Sequence, residues 1–201
     1  MVLVVLGAVA VFNVAWATED AATSVVSTVS DAAGDTIANA PAFQDIVSAE
    51  LTMAANGDFE LLLEMAGAVP AAPKLPPAAH TEIWWVWAFD LDPNTAVTGY
   101  PVVFPGSEPE FIVYVSWDGT AFAGTAIDRR PLLLAGGQAI ITPVEFNISG
   151  TMIDAVLPST LIGAFPQSFL WGPNALDWAG PIGGSAGYVV VDTAPRVIFN
   201  P

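Results

Sequence analysis

Apolar and polar residues alternate along much of this chain, which predicts β-strands. Between residues 59 and 65 every second side chain is apolar, and Glu60 and Glu64 occupy the opposite face. The residues that this alternation turns towards a core are Phe59, Leu61, Leu63 and Met65. The preceding run, residues 46–54, is joined to this strand through Asn56-Gly57, a pair typical of hairpin turns because both residues tolerate positive φ.

Further apolar runs follow at short intervals, separated by turn residues. They span residues 83–89, 110–117, 120–127, 144–148, 151–157, 169–171 and 188–191, and Gly136-Gly137 separates two more. The turns include Asp118-Gly119 and Ser149-Gly150. No amphipathic helical pattern occurs beyond residue 20. About ten short strands with tight turns predict an all-β fold, an antiparallel β-sandwich of the jelly-roll or immunoglobulin-like kind.

The N-terminal part of the sequence differs from this pattern. Residues 2–17 are apolar except for Asn13 and end in Ala15-Trp16-Ala17, which resembles a signal-peptidase site, although no Lys or Arg precedes them. This segment is expected to be helical and is either a signal peptide or a retained anchor. Both interpretations place the rest of the chain outside the cytoplasm, in a periplasm or at a cell surface. The predicted organisation is an apolar segment over residues 1–20, a linker over 21–44 and the sandwich over 45–201.

Composition narrows the classes of partner. The formal net charge of −16 would repel phosphate, so we predict no nucleic-acid partner. Cysteine is absent, which excludes disulfides and thiolate metal sites. Only 12% of the residues are charged, against about 25% in ordinary soluble domains. A single sandwich cannot bury so much apolar surface alone, so we expect other proteins to cover part of it.

Oxygen-bearing side chains gather after the strand at residues 83–89. Asp90, Asp92 and Asn94 alternate there, as calcium ligands often do, and Glu108, Glu110 or Asp192 could complete the shell. The candidate calcium site therefore comprises Asp90, Asp92, Asn94 and Glu110. The alternative is a turn capped by its own Asp and Asn side chains, because these residues are also common in β-turns.

The same strand is rich in tryptophan. Trp85 and Trp87 face one side of it and Trp84 the other, and Trp117 lies at the end of the next strand. One face belongs to the core. The aromatic side chains of the other face could lie under a loop, line a protein interface or stack on a carbohydrate ligand.

Groups suited to catalysis are few. His80 is the only histidine, so a Ser-His-Asp arrangement has one candidate base and a zinc site lacks ligands. Glu108 and Glu110 could be nominated as paired carboxylates, but nothing in the sequence marks them as such. We therefore predict that the protein is not an enzyme.

Several short motifs occur in an order that resembles one known group of sandwiches. They are Asp31-Ala-Ala-Gly-Asp35 with Asp45-Ile46, residues 89–101 ending in Thr-Gly-Tyr-Pro, Gly106-Ser-Glu108, Ala155-Val-Leu-Pro158 and Asp192-Thr-Ala-Pro195. This order is similar to family 9 carbohydrate-binding modules and DOMON-like domains. The resemblance implies a secreted or periplasmic domain that binds sugars, haem or calcium, or that serves as a subunit. Haem-binding relatives use Met, His or Lys, and here Lys74 and His80 are the only Lys and His.

Together these features predict a non-catalytic extracytoplasmic subunit of a larger membrane-associated assembly. One alternative is a secreted carbohydrate-binding module with a structural calcium. Another is a filament subunit in which an extended N-terminal segment completes a neighbour's sheet by β-augmentation.

Overall fold

The structure is a computed structural model, and it describes residues 24–75, 80–91, 109–163, 166, 168–178 and 188–200. The strands in this part of the chain form two antiparallel sheets, and the apolar sides of the two sheets form one core. The predicted all-β sandwich is thus confirmed.

Twelve strands are described. They are β1 (Val25–Ser30), β2 (Ile46–Met53), β3 (Phe59–Met65), β4 (Glu82–Asp90), β5 (Phe111–Trp117), β6 (Phe122–Asp128), β7 (Ile140–Pro143), β8 (Glu145–Ser149), β9 (Met152–Leu157), β10 (Phe169–Trp178), β11 (Tyr188–Thr193) and β12 (Val197–Phe199). The first sheet has the order β1-β2-β3-β9-β8. The second has the order β11-β10-β4-β5-β6-β7, and β12 also pairs with β10.

The core confirms the predicted face of β3. Phe59, Leu61, Leu63 and Met65 are each at most 3% exposed. The turn before β3 contains Gly57 in the left-handed region at φ +84°, as expected from the Asn-Gly pair.

Three tryptophans of the second sheet link the two layers. The indole N–H of Trp171 donates to Ser27 Oγ of β1 at 3.0 Å, and that of Trp87 donates to the carbonyl of Leu62 in β3 at 3.4 Å. The indole N–H of Trp85 donates to the carbonyl of Phe43 at 2.9 Å. Because a buried N–H needs an acceptor, these bonds favour one alignment of the sheets.

Short helices interrupt the strands. They are α1 (Arg130–Ala135), α2 (Ser159–Ile162) and a 3₁₀ turn (Ala42–Gln44). The first of the two apolar runs around Gly136 forms a helix and not a strand as its apolar pattern predicted. The helix begins beside Pro131 and ends where Gly136 takes φ +63°. None of the helices in the described ranges has the length and apolar character needed to cross a bilayer.

Strand β1 lies within the range predicted as a linker. Its six residues pair with β2 over the whole register from Val25–Met53 to Ser30–Ser48. Its alternation is weak in sequence because the polar Ser27 occupies a position that faces the core, beneath Trp171, and the apolar Val26 is exposed. The predicted apolar segment at residues 1–20 lies outside the described residues.

Candidate functional site

Four carboxylates from three segments meet at one edge of the sandwich. Asp31 and Asp35 belong to the loop that follows β1, Asp45 directly precedes β2, and Asp192 lies in β11. Backbone hydrogen bonds hold these segments together: Asp31 N–H donates to the carbonyl of Val47, and Ile37 N–H donates to the carbonyl of Val191, both at 3.0 Å. We call Asp31, Asp35, Asp45 and Asp192 the carboxylate cluster.

Three members of the cluster have oxygens close enough to share one ion. One carboxylate oxygen from each of Asp31, Asp35 and Asp192 lies within 4.8 Å of the other two. Oxygens that ligate calcium lie 2.3–2.6 Å from it, so two of them can be at most about 5 Å apart. The separation in the cluster fits that limit.

Asp45 adds a second observation that is independent of this spacing. Its Oδ2 accepts a hydrogen bond from Gly34 N–H at 2.8 Å, inside the loop that carries Asp31 and Asp35. Its Oδ1 is buried and has no hydrogen-bond partner, and the residue as a whole is only 6% exposed. Asp31 Oδ2 is likewise buried and unpartnered. A buried carboxylate oxygen without a partner is costly, and a cation in contact with these oxygens would reduce that cost.

The raised pKa values of Asp31 and Asp192 also favour a bound cation in the carboxylate cluster. The pKa of Asp192 is raised to about 6, mainly by burial and also by the charges of Asp31 and Asp35, against hydrogen bonds from Ile46 and Thr193 N–H that lower it. Burial is also the main cause of the raised pKa of Asp31, with added repulsion from Asp35 and Asp45. The cluster therefore holds negative charge that a divalent cation would neutralise.

The calcium site predicted from sequence is described only in part. Asp92 and Asn94 lie outside the described residues. Asp90, at the end of β4, and Glu110, just before β5, are both buried, and Glu110 Oε2 accepts a hydrogen bond from Leu91 N–H at 2.7 Å. These contacts tie the ends of β4 and β5 together.

The four predicted aromatic residues separate into two groups. Trp85, Trp87 and Trp117 belong to the core between the sheets. Trp84 lies on the outer face of the second sheet and is 5% exposed. Its ring stacks on Tyr114 at 4.1 Å on an adjacent strand and on Trp178 at 4.6 Å on the other. Both faces of the Trp84 indole are thus occupied by protein, which leaves neither face open to a sugar ring.

The only histidine faces a buried carboxylate. His80 Nδ1 lies 3.9 Å from Asp177 Oδ2, and Gln44 Nε2 donates to Asp177 Oδ1 at 2.7 Å. Burial raises the pKa of Asp177, which outweighs the lowering by Gln44 and by the charge of His80. Lys74 is exposed on the preceding loop. Gln44 and His80 thus both lie beside Asp177, near the end of β10.

Asp177 is expected to make stability depend on pH. The pKa of Asp177 is higher in the folded than in the unfolded protein. Its contribution to the free energy of unfolding is therefore fully present at a pH below the ordinary pKa of an Asp side chain, and it is lost as the pH rises through the raised pKa. Asp177→Asn keeps an acceptor for Gln44 and should reduce the loss of unfolding free energy between pH 4 and 7. Denaturant unfolding of both proteins across that range measures this, with His80→Gln as the control for the histidine charge. Equal pH slopes in wild type and Asp177→Asn would contradict the prediction.

The carboxylate cluster was only partly visible in the sequence. In the sequence, Asp31, Asp35 and Asp45 belong to a motif that resembles family 9 carbohydrate-binding modules. Asp192 was named only as a possible further ligand of the calcium site predicted at residues 90–94. The signal that could have joined them is the pairing of β1 with β2, which brings both ends of residues 31–45 to the same edge. Comparison with family models, with curated proteins and with solved structures gives no match to this chain, so the carboxylate cluster stands on its geometry alone.

Proposed function

We propose that this chain is a non-catalytic structural subunit of a larger extracytoplasmic, membrane-associated assembly, and that a calcium ion at the carboxylate cluster fixes its fold. The observation that carries the proposal is the buried, unpartnered oxygen of Asp45 beside three further carboxylates. This cation would join the loop after β1 to β2 of the first sheet and to β11 of the second sheet, and so would hold the two sheets together.

Calcium suits the cluster better than other metals. All four side chains offer hard oxygen atoms, and soft or imidazole ligands are absent from the cluster. Calcium also tolerates irregular shells of six to eight oxygens, whereas magnesium demands a near-ideal octahedron. Extracellular modules bind calcium with dissociation constants of roughly 10⁻⁴ to 10⁻³ M, so a site of this kind would be filled outside the cytoplasm.

The surface supports a role in an assembly. Seven large apolar side chains in the described ranges are exposed, most of them on edge strands or on the loops beside them. They are Val26, Ile37, Leu132, Ile140, Ile141, Val189 and Ile198. Partners that cover such residues would also account for the low share of charged residues, because interface centres are depleted of charge.

Calorimetric titration of calcium into the chelator-treated full chain tests the metal. We expect one calcium per chain and a loss of affinity of about tenfold or more in Asp35→Asn, because an exposed carboxylate is removed without disturbing the core. Asp92→Ala is the matched control, since it removes a carboxylate from the loop at residues 90–98. Loss of binding in Asp92→Ala and not in Asp35→Asn would move the metal to that loop.

The assembly is tested by isolating the full chain from its own cells in mild detergent and measuring the mass of the particle. A subunit is expected to elute with other proteins at a mass several times 20.9 kDa after subtraction of detergent. A monomer of 20.9 kDa would overturn the assembly role.

A further inference from the structure

Strand β7 is an edge strand with an unusually apolar character. It pairs with β6 on one side, and no described strand pairs with its other side. Ile140 and Ile141 are 55% and 57% exposed, and residues 131–144 contain no charged side chain. Exposed edges usually carry charges that prevent pairing with another chain. The edge of β7 carries no such charge, and its other protective features are that it is only four residues long and ends in Pro143, which lacks an N–H.

The hydrogen-bond pattern shows which backbone groups this edge presents. Val144 N–H donates to the carbonyl of Gly124 at 3.1 Å, and the register places Thr142 opposite Ala126. In an antiparallel pair the direction of the backbone groups alternates from residue to residue. The N–H and C=O of Thr142 therefore face β6, and those of Ile141 face away from it.

A cavity opens beside the same strand. Its volume is about 200 Å³, and its lining is mostly apolar: Phe111, Ala126, Ile140, Thr142, Thr160 and Leu161. Ile140 and Thr142 are two apart in β7 and so face the same side. Asp128 also borders the cavity, and Arg130 neutralises it through hydrogen bonds of 2.7 and 2.9 Å. Sites for small-molecule ligands usually measure about 300–1,000 Å³, so this cavity suits a single side chain.

We propose that the β7 edge binds an extended peptide segment of a partner protein. The segment adds as a strand beside β7, bonds to the N–H and C=O of Ile141, and places one apolar side chain in the cavity. This mode of binding derives affinity from the backbone and specificity from pockets for alternate side chains. The inference rests on the proposed assembly role and names the surface through which one partner docks.

Charge selects the kind of segment. The chain has a net charge of −16, and the exposed Glu145 follows just beyond the end of β7. The centre of the edge carries no charge, so a charged residue there would lose water without gaining a partner. The segment is therefore apolar or β-branched at its centre and carries Lys or Arg at its flanks.

The probe for this site is the synthetic peptide acetyl-Lys-Val-Thr-Leu-Thr-Val-Lys-amide, titrated into the full chain in mild detergent. We expect saturable binding and slower hydrogen exchange at the Ile141 amide. Ile141→Pro removes the outward N–H and leaves the bonds to β6, so it should weaken binding about tenfold or more. Ile141→Thr keeps that N–H and is the matched control. Thr160→Trp should also weaken binding by filling the cavity, whereas Thr160→Ser should not.

A peptide whose β7-facing amides carry N-methyl groups repeats the test without altering the protein, in case Ile141→Pro fails to fold. Equal binding of the two peptides, or no binding of the first, would overturn the docking site. If the chain is nevertheless isolated within a complex, the assembly role survives and its contacts lie elsewhere. A monomeric chain that binds the first peptide but not the methylated one would keep the docking site and overturn the assembly role.

Discussion

Leu63→Ala is expected to lower the free energy of unfolding by about 2–5 kcal/mol. Leu63 lies in the middle of β3, is fully buried, and pairs with Ala49 of β2 and Ile153 of β9. Strands on both sides and the second sheet above it prevent the surrounding side chains from closing the cavity. The loss should therefore include both the removed apolar contacts and the remaining cavity. Urea unfolding, read as a change of midpoint at constant slope, measures the effect.

Leu62→Ala is the matched control because it removes the same atoms one residue away. Leu62 faces the outer side of the first sheet and is half-buried, among Glu50, Glu60 and Asp154. Its replacement should cost about 1 kcal/mol or less, since water can reach the space that it leaves. Similar losses at both positions would mean that the two faces of β3 are equally buried, contrary to the alternation of its sequence.

Strand β3 was predictable because only one of its faces is buried. Two of its three outward positions are then Glu60 and Glu64, on either side of Leu62, and the buried face can be read directly from the sequence. Strand β4 shows the limit of this reasoning. Its outward residues Trp84, Val86 and Ala88 are buried as well as its inward ones, so no alternation remains and the sequence only shows that both faces are apolar. Which indole enters the core depends on the register with β5 and β10, a long-range property.

The two short helices were not predicted for a related reason. Helix α1 has six residues, fewer than two turns, so no helical period can be distinguished from an apolar strand. Pro131 and Gly136 mark its ends in retrospect, but the same residues also delimit strands and loops. Tertiary contacts, and not local preference, decide between the two conformations here.

Local spacing in the sequence did not predict the carboxylate cluster. Local spacing favours Asp90, Asp92 and Asn94, because side chains with oxygen ligands two residues apart are visible as a pattern. The carboxylate cluster instead draws Asp192 from near the C-terminal end to the loop after β1. Its formation depends on the hydrogen bond from Ile46 N–H to Asp192 Oδ2, which joins β2 to β11. No local sequence pattern encodes that contact.

Calcium is expected to raise the free energy of unfolding by about 3–4 kcal/mol when its free concentration exceeds the dissociation constant by two to three orders of magnitude. The reason is that the unfolded chain scatters the carboxylate cluster and cannot hold the ion. For a domain of this size, each kcal/mol corresponds to roughly 2–4 °C, so a melting temperature about 10 °C higher is expected in calcium than in chelator. The comparison belongs at pH 7.5, where Asp192, with its pKa of about 6, is ionised.

Variants of the carboxylate cluster separate a bound ion from a general effect of salt. Asp45→Asn keeps an acceptor for Gly34 N–H but removes a buried charge, so it should relieve repulsion in chelator and lose most of the stabilisation by calcium. Asp118→Asn changes an exposed turn remote from the cluster in sequence, so its melting temperature should differ between calcium and chelator by the same amount as that of the wild type. Because the repulsion and the ion act on the same oxygens, Asp45→Asn should raise the melting temperature in chelator and lower it in calcium, so the difference between the two conditions becomes smaller. A wild-type melting temperature that is the same in calcium and in chelator would leave the cluster as a set of strained carboxylates without a metal.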